Sequence, residues 1–513
     1  MVRSMVTGRH VLFTALLLAF ILWMSHSAHA ETDPTGTKTG TVADVPAAKP
    51  GEPTLAEVAD AIGHSRISLN IVWTLITGFL VMFMQAGFAM VETGFTRSKN
   101  VAHTMGMNFL VYALGVLGFW ICGFALMFGG VGGVASLGGT PGLTNEFTIS
   151  LFGKTFGLFG FQGFFLNNTV YDVGIYTLFL FQMVFMDTTA TIPTGAMAER
   201  WKFASFFVYA FFISMFVYPI YGNWVWGGGW LAGLGANFGL GHGHVDFAGS
   251  SVVHLVGGVA AFAGALVLGP RLGKYNKDGS SNAIPGHNIP MAIIGTFILA
   301  FGWFGFNPGS SLAGNDLRIG VVATNTMLAS ASGALIATVY MWFRFGKPDP
   351  SMMANGMLAG LVAITAPCAF VNAPIAVLIG GVAGFLVVTA VFFIDQKLHV
   401  DDPVGAVAVH GVNGIWGVLS LGLFADGSYG DGWNGVPGTV RGLFYGDAGQ
   451  FVAEIIGAVT CVVFVFTSMY LFFKIANRFV VPMRVSAQTE FEGLDLPEMG
   501  IKGYEDVTAP GRE

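Results

Sequence analysis

Two similar stretches decide the fold: Asp246-Phe-Ala-Gly-Ser-Ser-Val-Val-His254-Leu-Val-Gly-Gly and Asp402-Pro-Val-Gly-Ala-Val-Ala-Val-His410-Gly-Val-Asn-Gly. Asp, Gly, Val, His, Val and Gly recur at matching offsets, and the two histidines lie 156 residues apart. The copies open the fifth and tenth apolar segments of the chain, so an odd number of membrane crossings separates them. They therefore run in opposite directions, and inverted repeats of this kind are typical of transporters with a substrate path near the bilayer midplane.

The spacing within each copy predicts the depth of its histidine. Each histidine lies eight residues beyond its aspartate, which is about 12 Å along a helix at about 1.5 Å per residue. In an apolar core about 30 Å thick, each imidazole then lies near the middle. We therefore expect His254 and His410 to meet at the centre. Each aspartate falls at a helix N-terminus, where capping is the ordinary role, above all for Asp402, which precedes Pro403.

The composition of the 513 residues excludes a soluble protein. Hydrophobic residues make up 54% and charged residues 10%, where a soluble domain carries about 25% charge. Mean hydropathy is +0.67. The net charge of −6 gives no support for a nucleic-acid partner. The three cysteines lie in apolar runs, so we expect neither a disulfide framework nor a zinc cluster.

The sequence predicts an all-α integral membrane protein with eleven transmembrane helices, a five-plus-five inverted repeat followed by a final extra helix. This transmembrane domain would cover residues 67–475 and include a long outer loop, 131–170. The predicted spans are 68–93, 105–130, 173–198, 203–226, 249–269, 288–307, 319–343, 352–371, 374–395, 404–424 and 451–474.

The N-terminal residues 1–30 resemble a secretory signal peptide with a basic start, a short apolar core and Ala28-His29-Ala30 before the cleavage site. The alternative is an uncleaved first helix. Residues 31–66 would form an extracytoplasmic tail, and residues 476–513 a cytoplasmic C-terminal tail. Fifteen Lys and Arg residues fall in predicted inner segments and six in outer ones. This asymmetry supports an outside N-terminus in a bacterial inner membrane.

A histidine pair inside the membrane is a candidate functional site, because burying polar groups there is costly. The alternative for each histidine is a hydrogen bond between helices, and matching positions in two repeats favour function. Bis-histidine haem ligation and a metal site are further alternatives, but no second ligand pair or ligand spacing supports them. We expect no cofactor and no enzyme activity.

The expected lining of the path restricts what it carries. The spans contain no continuous series of Asp, Glu or Arg residues. A permanently charged ion would therefore face a desolvation cost that apolar walls do not offset. A small weak base or neutral polar solute crosses at lower cost, and the histidines can offer it hydrogen bonds and transfer a proton.

Several motifs together resemble the ammonium transporter (Amt/Mep/Rh) family, and its Amt/Mep branch more closely. They occur in family order over residues 68–474. The motifs are Gln85-Ala-Gly-Phe-Ala-Met-Val-Glu92 with Arg97-Ser-Lys-Asn100, Gly195-Ala-Met-Ala-Glu199-Arg200, Val225-Trp226-Gly-Gly-Gly229, Asp246-Phe-Ala-Gly with Val253-His254, Gly302-Trp-Phe-Gly-Phe306-Asn-Pro-Gly-Ser310, and Val409-His410-Gly-Val. The ordered set is far more specific than any single Gly-rich piece.

The resemblance implies an outer site that recruits ammonium. Trp226 and Ser310 would bind the cation by cation–π attraction and one hydrogen bond. Phe181 matches a further aromatic residue of that site. Asp246 matches an acidic residue that supports the site and can accept the departing proton.

The resemblance also implies a gate and a pore. Phe185 and Phe306 match two stacked rings that gate the path, and His254 and His410 match the twin histidines that guide ammonia and relay the proton. Membership implies a homotrimer with one pore per subunit, in contact with membrane lipid. The tail motifs Glu492-Gly-Leu-Asp495 and Gly503-Tyr504 resemble a regulatory tail, so a PII-type regulatory protein is an expected partner.

The chain departs from the family pattern in three places. Pro308 stands where a small residue is usual, Met499 stands where a histidine is usual, and the outer loop 131–170 is long, as a cap or trimer contact would require. The predicted function is an ammonium/ammonia transporter. The alternatives are an Rh-type channel for neutral ammonia or carbon dioxide, an ammonium sensor with little transport, and a haem-containing redox protein.

Overall fold

The computed structural model describes residues 41–130, 134–138, 145–167, 170 and 172–504. The predicted signal peptide, residues 1–30, lies outside the described residues. The chain divides into two units, Met1–Arg66 and Ile67–Glu513. The described part of the first unit contains one turn of 3-10 helix, Val42–Asp44, capped by the side chain of Thr41.

Apolar helices make up the second unit, which confirms the predicted all-α membrane fold. Ten helices of the described residues are long and apolar enough to cross a membrane, and an eleventh apolar helix is shorter. In chain order they are α1 Leu55–Phe95, α2 Ser98–Phe128, α3 Val173–Ala196, α4 Phe203–Val225, α5 Ser250–Leu268, α6 Ile289–Ser311, α7 Ile319–Phe345, α8 Pro350–Ile364, α9 Ala373–Gln396, α10 Val407–Phe424 and α11 Ala448–Phe479.

Short polar side chains begin many of these helices. An Asp or Asn side chain accepts a backbone N–H of the first turn, which satisfies a donor that has no partner inside the helix. The capping residues are Asp172 for α3, Asn288 for α6, Asp349 for α8, Asn372 for α9 and Asp447 for α11.

The first helix starts earlier than the hydropathy indicates. Its predicted span is 68–93, but α1 is 41 residues long and includes residues 55–66 of the predicted tail. The cause is a capping box: Glu57 N–H donates to Thr54 Oγ1 at 3.3 Å, and Thr54 N–H donates to Glu57 Oε2 at 2.7 Å. Reciprocal bonds of this kind start a helix in polar sequence.

The eighth predicted span is shorter than expected. The sequence predicts residues 352–371, whereas α8 ends at Ile364 and residues 365–370 form turns. Pro367 explains the early end, because proline lacks the N–H donor and disfavours helical geometry in the residue before it. At about 1.5 Å per residue the helix is about 22 Å long. The predicted count of eleven helices holds only with this shorter one included.

The inverted repeat is visible in how α5 and α10 begin. Each opens with a π-helical turn that contains its histidine, Ser250–Leu255 in α5 and Val407–Val412 in α10. Asp246 accepts four backbone N–H groups from residues 249–252 at 2.7–3.0 Å. Asp402 accepts the N–H of Val407 at 2.7 Å. Both aspartates therefore cap their helices, the role that the sequence gives as the ordinary one.

The long outer loop 131–170 contains a hairpin of β1, Glu146–Leu151, and β2, Lys154–Gly160. The second strand packs on the connection between α4 and α5. Trp230 N–H donates to Gly157 O at 3.0 Å, and the Trp224 indole donates to Leu158 O at 2.9 Å. The hairpin is therefore packed against its own chain, and the expectation of a cap or a trimer contact stays a prediction.

The described part of the predicted C-terminal tail, residues 476–504, also packs on its own chain. It contains a helix, α12 Ala487–Glu492, followed by a π turn, Asp495–Met499. His103 N–H donates to Asp495 Oδ1 and Leu494 N–H donates to Asn100 Oδ1, both at 3.0 Å. These bonds hold the tail against the start of α2.

Glu146, at the base of the hairpin, is partly buried against backbone of Gly130 and Gly157. Its Oε1 has no hydrogen-bond partner among the described residues. Burial raises the pKa of Glu146 to about 7 from an ordinary 4.5, against a hydrogen bond with Asn223 that lowers it. Because the folded state then holds this proton more tightly than the unfolded chain, stability is highest in acid and falls as the pH rises from 4.5 to about 7.

Replacing Glu146 by Gln removes that titration. We expect E146Q to raise the thermal unfolding midpoint over the wild type at about pH 8 and to leave it nearly unchanged at about pH 4.5. Differential scanning fluorimetry of the purified protein at both pH values measures this. The control is Lys154→Gln at the turn of the same hairpin, which should leave both midpoints unchanged. An equal shift of E146Q at both pH values would contradict the assignment.

Candidate functional site

The two repeat histidines meet inside the protein. His254 Nδ1 and His410 Nδ1 are 3.2 Å apart, and the ring centroids are 5.3 Å apart. The two side chains are 0% and 5% exposed. The structure therefore brings together the pair that the repeat spacing predicts.

The helices that carry the pair approach closely because each has a glycine at the crossing. A methyl group on Gly258 would lie 2.2 Å from the backbone nitrogen of Gly411. One on Gly414 would lie 2.8 Å from the carbonyl oxygen of Ser250. Real side chains cannot approach backbone atoms so closely. The absence of side chains at these positions thus allows the imidazoles to face each other.

The contact between the rings fixes how they share a proton. One Nδ1 must carry hydrogen and donate it, and the other must accept it with its lone pair. The accepting ring then carries its hydrogen on Nε2 if it is neutral. His254 Nε2 is buried and has no hydrogen-bond partner among the described residues. This nitrogen is available to a solute in the path.

A column of aromatic rings leads to His254. Phe185 and Phe306, the predicted gate residues, stack with centroids 4.1 Å apart and planes 24° from parallel. Phe306 in turn lies 5.3 Å from the His254 ring. Trp303 flanks His254 at the same distance, and its indole donates to Thr365 Oγ1 at 3.0 Å. The stacked rings of Phe185 and Phe306 therefore cover one side of the histidine pair.

Phe181 extends the column by one ring. Its centroid lies 4.6 Å from that of Phe185, and the side chain is 1% exposed. It packs against Gly309, where a methyl group would lie 3.0 Å from Phe181 Cε2. The sequence places Phe181 at the outer site, and the structure buries it behind the gate ring and beside the turn that carries Ser310.

Trp226 is held in place through Asp246. The indole N–H of Trp226 donates to the backbone oxygen of Asp246 at 2.7 Å, and the ring meets Phe185 edge-on at 6.2 Å. The carboxylate of Asp246 also accepts the Ser251 hydroxyl at 2.7 Å, in addition to its four backbone donors. Asp246 therefore joins the start of α5 to the tryptophan.

Ser310 and Asn307 lie at the other side of the gate. Ser310 Oγ donates to Phe306 O at 2.8 Å, which leaves its lone pairs free to accept a hydrogen bond. Asn307 Nδ2 donates to Thr326 Oγ1 at 3.0 Å, so this side chain links two helices. Pro308 forms part of a short 3-10 turn that ends α6.

Beyond His410 the path continues as small cavities. One of about 20 Å³ is lined by His410, Phe88, Val91, Glu92, Ile192 and Leu299. That volume holds about one water-sized molecule. A further cavity of about 120 Å³ is lined by polar groups that include Asp402, Arg271 and Lys274. A mostly apolar cavity beside His410 and a more polar cavity beside Asp402 therefore lie along the start of α10.

Sequence reasoning missed an ionic cluster beside the more polar cavity. Arg271 forms a two-bond pair with Asp401 at 2.8 and 2.9 Å, and its guanidinium lies 3.3 Å from Glu199. Arg200 and Arg271 lower the pKa of Asp401 well below its usual range despite burial, which raises it. The motif Gly195-Ala-Met-Ala-Glu199-Arg200 contains two of the charges, but only the fold brings Asp401 to them.

An inverted repeat of membrane helices that encloses a buried polar pair defines a transporter class of fold. Comparison with known proteins then identifies the family. The chain belongs to the ammonium transporter family, because the model of the Ammonium Transporter Family matches residues 72–504. This confirms the resemblance that the motifs indicated.

Two ammonium transporters are similar to the chain over most of their length. Ammonium transporter Amt2 of Archaeoglobus fulgidus is 46% identical over 443 residues, which cover 86% of this chain and 89% of that protein. Ammonium transporter Amt1 of Haloferax mediterranei is 37% identical over 448 residues, which cover 85% and 79%. These relatives are named as transporters.

Two solved structures extend the comparison. A structure named Sensor Amt Protein is 36% identical, has a TM-score of 0.73 and covers 85% of this chain and 100% of its own. Mep2 of Candida albicans is 26% identical, has a TM-score of 0.68 and covers 82% and 86%. The fold is therefore that of the Amt/Mep proteins.

The glycine crossing gives a direct test of the site. Gly258→Ala places a methyl group 2.2 Å from Gly411 N, so the helices must move apart. We expect a loss of about 1–3 kcal/mol of stability from overpacking and a fall in ammonium uptake that exceeds any fall in protein level. The control is Gly320→Ala, where no atom lies within 4 Å of the added methyl. Full uptake by G258A at normal protein level would show that the crossing does not matter.

Proposed function

We propose that the chain recruits ammonium at an outer aromatic site, removes its proton there and conducts ammonia past the paired histidines. The observation that carries the proposal is the buried pair itself, with Nδ1 atoms 3.2 Å apart beyond a closed aromatic gate. A buried polar pair between two repeats is an expected site for a small polar solute. Family membership supports ammonium as that solute.

Recruitment would begin at Trp226 and Ser310. The Trp226 indole N–H is already used by Asp246 O, so its π face is what a cation contacts. Cation–π attraction contributes about 0.5–2 kcal/mol, more when the site excludes water. The free lone pairs of Ser310 Oγ then accept one ammonium N–H. Asp246 supports this site by holding the indole.

Passage through the gate favours the neutral form of the solute. Phe185 and Phe306 are in ring contact and both are about 1% exposed or less, so a solute must displace them. A charged ammonium would lose its hydration there without a compensating partner, at a cost of several kcal/mol. Ammonia loses much less. The proton is therefore left on the outer side or passed on separately.

The histidine pair would replace the hydrogen bonds that ammonia loses. His254 Nε2 has no partner among the described residues, and the Nδ1 atoms already hold each other. A shared hydrogen bond between imidazoles also provides a means of moving a proton from one ring to the other. The cavity of about 20 Å³ beyond His410 has room for one molecule of this size.

The proposal includes the orientation and assembly expected from the sequence. The Asp246 end would face outward, the C-terminal tail would be cytoplasmic, and the membrane would be a bacterial inner membrane. Apolar side chains on α6 such as Ile294, Phe297 and Phe301 are 54–63% exposed in the single chain. Lipid and neighbouring subunits of a homotrimer would cover such faces. The docked tail supports a regulatory contact, and a PII-type protein is its proposed partner.

An ammonium sensor is a second candidate function. The observation that favours it is the likeness to the Sensor Amt Protein, at 36% identity over 85% of this chain. A sensor predicts ammonium binding without sustained uptake. An Rh-type neutral gas channel instead predicts uptake that does not depend on Trp226.

The twin histidines are tested by replacing both His254 and His410 with Leu. The loss of both polar rings should reduce uptake of labelled methylammonium into proteoliposomes by more than about tenfold, because the solute then has no hydrogen-bond partner at the centre. The single exchange His64→Gln, at an exposed position of α1, is the control. Unchanged uptake by the double variant would remove the proposed mechanism.

The outer site is tested by Trp226→Leu. Loss of the π face should raise the KM for ammonium by about twofold to thirtyfold, the equivalent of the cation–π contribution. Phe297→Leu, on an exposed face of α6, serves as the matched aromatic control. A KM that is unchanged in W226L would favour the neutral gas channel.

A further inference from the structure

A buried His–Glu pair lies behind the proposed ammonium site. His244, in the segment before α5, and Glu454, on α11, are both 0% exposed. His244 Nδ1 lies 2.6 Å from Glu454 Oε2. The two residues are 210 positions apart in the chain, and neither belongs to the motifs that identify the family.

The pair connects to Trp226 by a short series of bonds. His244 Nε2 lies 2.9 Å from Ser251 Oγ, and Ser251 Oγ donates to Asp246 Oδ2 at 2.7 Å. Asp246 O in turn accepts the indole N–H of Trp226 at 2.7 Å. Every link is within hydrogen-bond distance. A change at His244 is therefore transmitted to Trp226 first through Ser251 and then through Asp246.

The direction of these bonds fixes the proton on His244. The Ser251 hydroxyl donates its single hydrogen to Asp246 Oδ2, so it must accept from the other side. His244 therefore carries hydrogen on Nε2. The remaining nitrogen, Nδ1, lies 2.6 Å from Glu454 Oε2, close enough for the two groups to share a second proton when one is bound. The dyad is then an imidazolium paired with a carboxylate or its neutral equivalent.

Helix α11 is shaped to receive the ring. A methyl group on Gly457 would lie 2.2 Å from His244 Nδ1, so only glycine leaves room there. Glu454 is fixed by two further donors through Oε1, the N–H of Val245 at 3.0 Å and the amide of Gln450 at 2.7 Å. The helices α5 and α11 and the segment before α5 therefore together fix the positions of the His244 and Glu454 side chains.

Stability alone does not account for such a pair. Two apolar residues of similar volume often stabilise a protein core as well as a buried ion pair or better, because charged groups lose hydration on burial. The pair lies instead beside the aspartate that holds the cation-binding indole. We propose that His244 and Glu454 are positioning residues that set the charge and geometry of the outer ammonium site through Ser251 and Asp246. This inference rests on the proposed function.

The charge at the site explains how the dyad acts. With Glu454 ionised, the positive charge of His244 is neutralised, and Asp246 remains the net charge near the indole. Without the Glu454 charge, a His244 ring that becomes protonated at lower pH is an uncompensated imidazolium, which repels ammonium. At about 10 Å in a medium of effective dielectric about 20, one uncompensated charge corresponds to about a tenfold change in affinity.

The titratable groups around His244 set its pH response. Burial lowers the pKa of His244, but the charge and hydrogen bond of Glu454 and the charge of Asp246 outweigh burial and raise it above its ordinary value. Tyr221 OH from α4 lies 3.4 Å from Nε2, and Cys461 of α11 lies 3.9 Å from Ser251 O. Without the Glu454 charge, only the charge of Asp246 opposes the effect of burial, so His244 holds its proton less tightly and is charged only toward lower pH.

The test is Glu454→Gln in the full-length protein. Calorimetric titration with ammonium chloride should give a Kd that weakens about tenfold between about pH 7.5 and about pH 5.5, while the wild-type Kd changes less than about twofold. The double variant His244→Gln with Glu454→Gln carries no titratable dyad, so its Kd should be independent of pH. Cys461→Ser, an uncharged change on the same helix, should behave as the wild type.

The proposal is overturned if E454Q binds ammonium with the wild-type Kd at both pH values. It is also overturned if binding by E454Q is weaker than wild-type binding by the same factor at both pH values. If E454Q does not fold, Glu454→Asp keeps the carboxylate and should bind with a flat pH profile; a pH-dependent E454D overturns the proposal instead. Uptake by proteoliposomes is measured in parallel. Wild-type protein that binds ammonium but transports none would contradict the proposed function and leave the test of the dyad intact, because Kd is read without transport.

Discussion

The helices α5 and α10 run in opposite directions and cross at a pair of glycines. This close crossing determines the geometry of the histidine pair. Gly258 of α5 faces Gly411 of α10, the residue directly after His410. The approach brings His254 Nδ1 to 3.2 Å from His410 Nδ1. A buried imidazole without a partner is costly, so each ring stabilises the position of the other. The aromatic gate and the cavities lie on either side of this contact.

The outer half of the molecule is organised around one aspartate. Asp246 caps α5, which sets the depth of His254, and its backbone oxygen holds Trp226. The same residue thus fixes the centre of the path and its proposed entrance. The buried dyad of His244 and Glu454 reaches it through Ser251. In the proposed mechanism, recruitment and conduction are therefore coupled, since a displaced cap would affect both.

Much of the fold follows from features that are local in the sequence. The Asp–His spacing of eight residues gives the depth of each imidazole, and the apolar segments give the helices. Capping by Asp246 and Asp402 follows from residue type alone. Equal spacing in the two copies brings the two rings to the same level because helical rise is nearly constant. The stacking of Phe185 on Phe306 needed the family motifs, since the chain has 48 phenylalanines.

Other features depend on contacts that no local pattern contains. Glu454 lies on a helix whose apolar pattern is that of a lipid-facing span, and only the packed fold places it 2.6 Å from His244. The apolar sequence continues to residue 371, but α8 ends at Ile364. Pro367 ends the helix early because a proline disfavours helical geometry in the residue before it. The sequence predicts residues 131–170 as one long outer loop, and the pairing of β1 with β2 inside it is seen only in the structure.

The distance between the two imidazoles in lipid is the quantity on which the account depends. A cryo-electron microscopy map of the protein in lipid nanodiscs, at a resolution that defines ring orientation, measures it directly. The account predicts His254 and His410 with Nδ1 atoms within hydrogen-bond distance and no water ordered between them. Rings that are separated by ordered water, or turned toward the lipid, would contradict it.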